Sequence, residues 1–230
     1  MTTSDIARRL EHVRERVAAA CDSARRNPAE VTVVAIAKTF SADLVAAAVE
    51  AGCHDIGENR AQELKQKAAV LGSADIRWHF VGPLQTNKVR HVVGTASLIH
   101  SVDRMGLGAA LARRAGALGI VQDVLVEVNL GGETTKAGIE PHGVRALAEE
   151  LAELEGLAVR GLMAIPPASD SSTQLSDSFT ALAELGTEVA AQIPGATELS
   201  MGMSRDFEIA IACGATIVRI GEAIFGPRTA

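Results

Sequence analysis

The chain has 230 residues, 47% of them hydrophobic and 3% aromatic, with a formal net charge of -6 and no tyrosine. That length fits one large domain, and the apolar share is enough for a sizeable core built from Ala, Val, Leu and Ile. The acidic balance, with no long basic run, excludes an extended nucleic-acid surface, and no apolar stretch approaches the ~20 residues needed to span a bilayer.

The first residues are polar and then amphipathic, without the apolar core of a secretory signal, so the cytoplasm is the expected address. Residues 4–25 carry Ile6, Leu10, Val13 and Val17 at helical spacing, and Asn27-Pro28 stops that helix. Cys21, Cys53 and Cys213 lack C-x-x-C spacing and read as small apolar fillers in a reducing compartment, not as a metal set. Short apolar runs then follow at 31–37, 54–56, 76–81, 97–101, 121–129, 157–163, 196–200 and 215–220. Helical patterning separates most of them, at 42–51, 60–70, 104–116, 142–153, 174–192 and 205–213. Such alternation implies parallel strands, because each crossover needs a helix. Eight units with nothing left over predict an α/β fold: a single (β/α)8 TIM-type barrel over residues 1–230. The extra N-terminal helix then covers one side or the floor. An open doubly wound sheet is the runner-up. Ala168-Ser-Asp-Ser-Ser-Thr173 is the loosest stretch and reads as a mobile loop.

Chemistry in such a barrel sits at the C-terminal ends of the strands, where the polar residues worth noticing fall. Lys38 ends the run Val31-Thr-Val-Val-Ala-Ile-Ala37. An amine at the mouth of a buried strand loses its proton more easily than one in water, and a neutral amine attacks an aldehyde to form a Schiff base. Taken alone, Lys38 reads more readily as a rim lysine snorkelling to solvent, and the phosphate signals elsewhere in the chain turn that reading round. In Trp78-His-Phe-Val-Gly-Pro-Leu-Gln-Thr-Asn-Lys88, His79 reads as a satisfied core histidine, and Gln85, Asn87 and Lys88 open the next helix. Asn129-Leu-Gly-Gly-Glu-Thr-Thr-Lys-Ala-Gly138 is a Gly-rich loop without Walker A spacing, and its Lys136 is a second amine or a solvated one.

Two late segments suit a phosphate. In Ser200-Met-Gly-Met-Ser204, Gly202 lets an anion approach, and Ser204 stands where an N-cap would open the next helix and offer free N–H groups. In Arg219-Ile-Gly221, the arginine lies in or just after an apolar strand, either as an anion ligand or paired with an acid such as Glu208 or Glu222. An amine at one end of the chain and phosphate signals at the other suggest one phosphorylated aldehyde between them.

Together these segments resemble the YggS/PROSC family of pyridoxal phosphate homeostasis proteins. The matching pieces are Ala37-Lys38-Thr39, Gly57-Glu-Asn-Arg60, the Trp78–Lys88 motif, Ser101-Val-Asp-Arg104, and Val128-Asn129 with Lys136 and Gly138. Gly161-Leu-Met163, Leu199-Ser-Met-Gly-Met-Ser204 and Val218-Arg-Ile-Gly221 with Phe225-Gly226 complete the set. The resemblance implies a barrel like the N-terminal domain of alanine racemase, with pyridoxal 5'-phosphate (PLP) as an internal aldimine on Lys38. It implies phosphate contacts from Ser200, Gly202 and Ser204 and from Arg219 and Gly221, with Arg219 reaching either the phosphate or the pyridine nitrogen. Asn59, His79 and Met163 map near the ring, and Lys136 matches a lysine linked to PLP handling. Arg60 stands where tyrosine is frequent, and Pro83 departs mildly from the pattern.

What the resemblance implies is a monomeric PLP carrier and buffer without catalytic turnover, apo PLP-dependent enzymes being the candidate recipients. The alternative is a small single-domain PLP-dependent amino-acid racemase. That route needs a base on each face of the substrate, and the partner base in the racemase fold is a tyrosine, absent here. A Schiff-base aldolase is a weaker third reading, since its lysine commonly lies on strand 6, which here ends in Gly161-Leu-Met163.

Overall fold

A computed structural model of the chain describes residues 3–72, 75–131, 137–167, 169 and 171–227. Lys136 and, within the expected mobile loop, Ala168 and Asp170 lie outside the described residues. Eight strands close into one parallel barrel in sequence order. They are β1 (Thr32–Ile36), β2 (Asp55–Glu58), β3 (Arg77–Phe80), β4 (Ala96–Val102), β5 (Gln122–Val128), β6 (Leu157–Ala164), β7 (Glu198–Met203) and β8 (Ile217–Ile220). Each overlaps one of the apolar runs. The barrel closes where β1 pairs with β8, from Thr32 opposite Ile217 to Ala35 opposite Ile220.

The helices are α1 (Thr3–Ser23), α2 (Ala42–Glu50), α3 (Ala61–Leu71), α4 (Met105–Leu118), α5 (Val144–Ala152), α6 (Ser172–Gln192), α7 (Phe207–Ala212) and α8 (Glu222–Phe225). Between β3 and β4 the expected helix is instead a 3-10 turn over Thr86–His91. Gly82-Pro83 before it and Gly94, at φ 85°, behind it bound this connection.

The core divides as a barrel requires. Residues alternate along each strand, so one set packs outward against the helices and the other fills the lumen. The lumen set is compact: Val34, Ile36, Leu98, Leu125, Met163 and Ile217 form their own buried cluster. Outside it, the fully buried Phe80, Phe179, Phe207 and Phe225 belong to the helix-facing core. Helix α8 has four residues and cannot cover the β8–β1 seam. The leading helix supplies the missing layer. Its buried stripe of Ile6, Leu10, Val13, Val17 and Cys21 packs α1 against α2, α7 and α8. Arg16 fixes its position by pairing with Glu208 and lying 4.5 Å over the Phe207 ring. No described helix is long and apolar enough to cross a membrane.

Gly161 shows how tightly the strands fit. Its φ is +146°, and a Cβ there would fall 2.0 Å from the Glu198 carbonyl oxygen of β7. Alanine must therefore push two paired strands apart. Gly161→Ala should lower stability by about 2–4 kcal/mol, read as a lower urea midpoint at unchanged slope.

Candidate functional site

The C-terminal mouth of the barrel gathers most of the residues singled out from sequence. Lys38 stands two residues beyond β1 and is partly buried. Its backbone is held from both sides. Lys67 Nζ, on the buried stripe of α3, donates to the Ala37 carbonyl at 2.7 Å, and Glu63 Oε2 accepts from the Thr39 N–H at 3.1 Å. Thr39 has φ +70°, a costly conformation for a β-branched residue, worth on the order of 1–3 kcal/mol of strain. The same α3 face sustains that strain. Lys67 is also hydrogen-bonded to Glu58, which is fully buried at the end of β2, and lies 3.7 Å from Glu63. Burial pushes the Glu58 carboxyl up, against the opposing pull of Lys67. Beyond Lys38, Phe40 stacks on Phe225 with ring centroids 5.0 Å apart, which fastens this turn to α8 and so to Gly221 at its start.

On the opposite seam, Arg219 is buried in the lumen. Its Nη1 donates to the Ser200 carbonyl at 2.6 Å and to Ser200 Oγ at 2.7 Å, and its Nη2 donates to the Ala164 carbonyl at 2.9 Å. Neither Glu208 nor Glu222 is its partner. Glu208 instead faces α1, where Arg16 holds it. Burial pulls the Arg219 pKa down to about 10, with Glu127 and Asp206 opposing the shift. Met163 stands opposite Ser200 in the β6–β7 pairing and is fully buried among the lumen residues. Gly202, at φ +89°, lets β7 bulge past α7: a Cβ there would meet the Ala210 methyl at 2.6 Å.

Ser204 does not cap α7. The helix begins at Phe207, and Asp206 occupies the cap position without a side-chain bond to the first turn. Its carboxylate instead accepts from the Met203 N–H and so tightens the turn carrying Ser204. An immediately preceding acid that folds back on the turn displaces a serine two positions earlier.

His79 is less accessible than its place in the motif suggests. Its Nε2 lies 3.1 Å from Asp55 Oδ1 and its Nδ1 lies 2.9 Å from Nε2 of His100, so both ring nitrogens are engaged inside the barrel. His100 Nδ1 in turn lies 2.8 Å from Ser200 Oγ. Asn59 follows β2 at the mouth, and its Oδ1 is buried without a hydrogen-bond partner. Glu58 Oε2, Ser101 Oγ and Glu127 Oε2 are in the same condition, each within two residues of a strand's C-terminal end. Unsatisfied buried polar atoms are rare; two others, Arg9 Nε and Arg114 Nε, lie on α1 and α4, and the four at strand ends mark a place prepared for polar groups not found among the described residues.

Three of these residues went unread in the sequence. His100 and Glu127 sit on alternate positions with the lumen residues Leu98 and Leu125, so a polar residue at inward register within an apolar run was the available signal. Lys67 interrupts the buried stripe of α3 between Leu64 and Ala68 in the same way.

A family model described as the N-terminal domain of alanine racemase matches residues 9–229. A pyridoxal phosphate homeostasis protein of Aquifex aeolicus is 44% identical over 221 residues, covering 96% of this chain and 97% of its own. Among solved structures, an unknown protein from Bifidobacterium adolescentis superposes with a TM-score of 0.92 at 36% identity, covering 97% of this chain and 95% of that one. PipY of Synechococcus elongatus with PLP bound superposes with a TM-score of 0.85 at 36% identity, covering 96% and 100%.

Two predictions follow from the buried charges. Lys67→Met leaves Glu58 buried without its cation and should cost about 3–5 kcal/mol, while adding Glu58→Leu should return most of it; urea denaturation of the two variants decides. Burial raises the Glu127 pKa to about 7, so the folded state holds that proton more tightly than the unfolded chain. Its contribution to stability is present at low pH and lost as pH rises through 7. Relative to Glu127→Gln, the wild type should therefore lose on the order of 3 kcal/mol between pH 4 and pH 8, measured by denaturant unfolding across that range.

Proposed function

The chain belongs to the alanine racemase N-terminal-domain family, in its YggS/PROSC group of pyridoxal phosphate homeostasis proteins, and on that premise we propose that it binds PLP as a Schiff base on Lys38. It acts in intracellular PLP homeostasis, as a cytoplasmic carrier and buffer without catalytic turnover. The observation that carries this reading is the bracketed backbone of Lys38, an amine held at the mouth of β1 by the Ala37 and Thr39 hydrogen bonds.

The residues present fit the cofactor. When bound, PLP supplies an aldehyde that condenses with primary amines, together with a phosphate and a pyridine nitrogen. Lys38 is the amine. Among the buried polar atoms without partners, Asn59 Oδ1 and Glu127 Oε2 offer hydrogen-bonding capacity to its ring substituents. Met163, buried in the lumen, would pack against the ring. The turn through Gly202 and Ser204, with the backbone at Gly221, receives the phosphate. Ser200 serves mainly through Arg219, since its hydroxyl already bonds that guanidinium and His100. Arg219 makes three N–H bonds to β6 and β7 and would offer a remaining N–H to the pyridine nitrogen. A cationic guanidinium there does not give the nitrogen a proton, which favours holding the cofactor over using it as an electron sink.

The purified protein incubated with PLP should turn yellow, and borohydride should bleach it while fixing a pyridoxyl group on Lys38, located by peptide mass spectrometry. Lys38→Ala should stay colourless. A colourless wild type, or a label on another lysine, overturns the assignment. Incubation with single L-amino acids in deuterium oxide tests the absence of turnover: α-proton exchange at a useful rate would establish the racemase alternative.

A further inference from the structure

The lumen holds a connected line of hydrogen bonds that binding PLP through Lys38 does not require. It begins at the floor, where Arg77 pairs with Asp55 through Nε at 2.8 Å. It continues from Asp55 to His79 at 3.1 Å, to His100 at 2.9 Å, to Ser200 Oγ at 2.8 Å and to Arg219 Nη1 at 2.7 Å. The line thus climbs from the first residue of β2 through β3 and β4, crosses the lumen to β7, and ends on β8. His79, His100, Ser200 and Arg219 are all at most 5% exposed, so bulk water does not compete for these bonds.

The two ends are a donor and an acceptor. Arg219 only donates. Burial pushes the Asp55 carboxyl up, but its bonds from His79 and Arg77 outweigh that and hold it at about 2, so it only accepts. Burial, with His79 and Arg219 nearby, keeps His100 well below the usual imidazole range and therefore neutral. One arrangement that runs one way from Arg219 to Asp55 satisfies every link. Ser200 Oγ accepts from Arg219 and donates to His100 Nδ1; His100 Nε2–H donates to His79 Nδ1; His79 Nε2–H donates to Asp55. The other charged groups facing the line are Glu127 and Asp206, both beside Arg219.

We propose that His79 and His100 are positioning residues for Arg219: acting through Ser200, this one-way relay fixes the guanidinium's orientation and the hydrogen bonds it presents to a ligand ring. The proposal rests on the PLP reading for the identity of that ring. The relay itself does not.

The test has a part without cofactor and a part with it. Long-range proton–nitrogen correlation spectra of the unliganded protein, labelled with 15N-histidine and assigned with His79→Gln and His100→Gln, should show each imidazole with a proton on Nε2 and none on Nδ1, the pattern the relay requires. An Nδ1 proton on either ring, or a doubly protonated ring, overturns the relay. With PLP added, His100→Leu should weaken binding about tenfold and shift the absorption band of the bound cofactor, while borohydride still labels Lys38. His100→Gln, which keeps a donor and an acceptor, should recover part of both effects. Ser200→Ala removes only the hydroxyl link and should move binding and band in the same direction, which keeps the question answerable if His100→Leu does not fold. Unchanged affinity and band in these variants refute the positioning role. A wild type that takes up no PLP refutes the cofactor reading instead, and leaves the histidine spectra to judge the relay alone.

Discussion

The lumen of a closed barrel is screened from bulk water, so polar side chains placed there must find partners on the other strands or be left unsatisfied at a cost of about 1–3 kcal/mol each. Much of this structure follows from that constraint. Arg219 is the largest polar group in the lumen, and it joins three strands: it sits on β8, bonds the Ser200 carbonyl of β7 and bonds the Ala164 carbonyl of β6. Ser200 belongs to the last β6–β7 register pair and Ala164 follows its partner Met163, so the guanidinium bonds the carbonyls where that ladder ends and where the β7–β8 register shifts. The residues that could contact a cofactor are therefore the same ones that close this side of the barrel.

The opposite seam solves a different problem with the same economy. A lysine at the end of β1 is useful only if its backbone is fixed, yet it lies in a connection five residues long between β1 and α2. The α3 face provides the fixing. Its one buried lysine holds the carbonyl before Lys38, its Glu63 holds the amide after Lys38, and both are tied to Glu58 or to each other. The price is a strained Thr39 and a carboxylate kept in an apolar wall. Such strain persists only where surrounding contacts over-determine it, and here the contacts come from three separate elements, α3, β2 and the Phe40–Phe225 stack on α8.

How far the sequence discloses this depends on range. Strand periodicity and helical spacing are local, so all eight strands and the leading helix were legible, as was the crowding of polar residues at strand ends. Lys38 was legible because an amine ending an apolar run is locally odd. The partners of Arg219 were not, because Glu208 and Glu222 are near in sequence whereas Ala164 lies 55 residues away. Ser204 misled for a related reason: a serine before a helical run looks like a cap, and only the fold shows the Asp206 carboxylate turning back to Met203. His79 was read correctly as a satisfied core histidine, but what satisfies it, Asp55 and His100, could come only from strand register.

The choice between carrier and racemase turns in part on the acid–base groups near the mouth. Both lumen imidazoles are bonded at each nitrogen. The cysteines are elsewhere: Cys21 lies under α1, Cys53 is pushed up to about 11 by burial at the floor, and Cys213 ends α7. Glu127 remains, with a pKa of about 7 and an oxygen without a partner. A base alone does not make a racemase. Removing an α-proton leaves an electron pair that a cofactor ring must absorb, and on the proposed reading the ring nitrogen would face an arginine that does not readily give up its proton and would absorb that pair poorly. Glu127 would then be a base with little to gain from acting, next to a cation that tends to hold any bound anion in place. On the proposed reading such a pairing would serve retention and exchange of the cofactor better than carbon-acid chemistry.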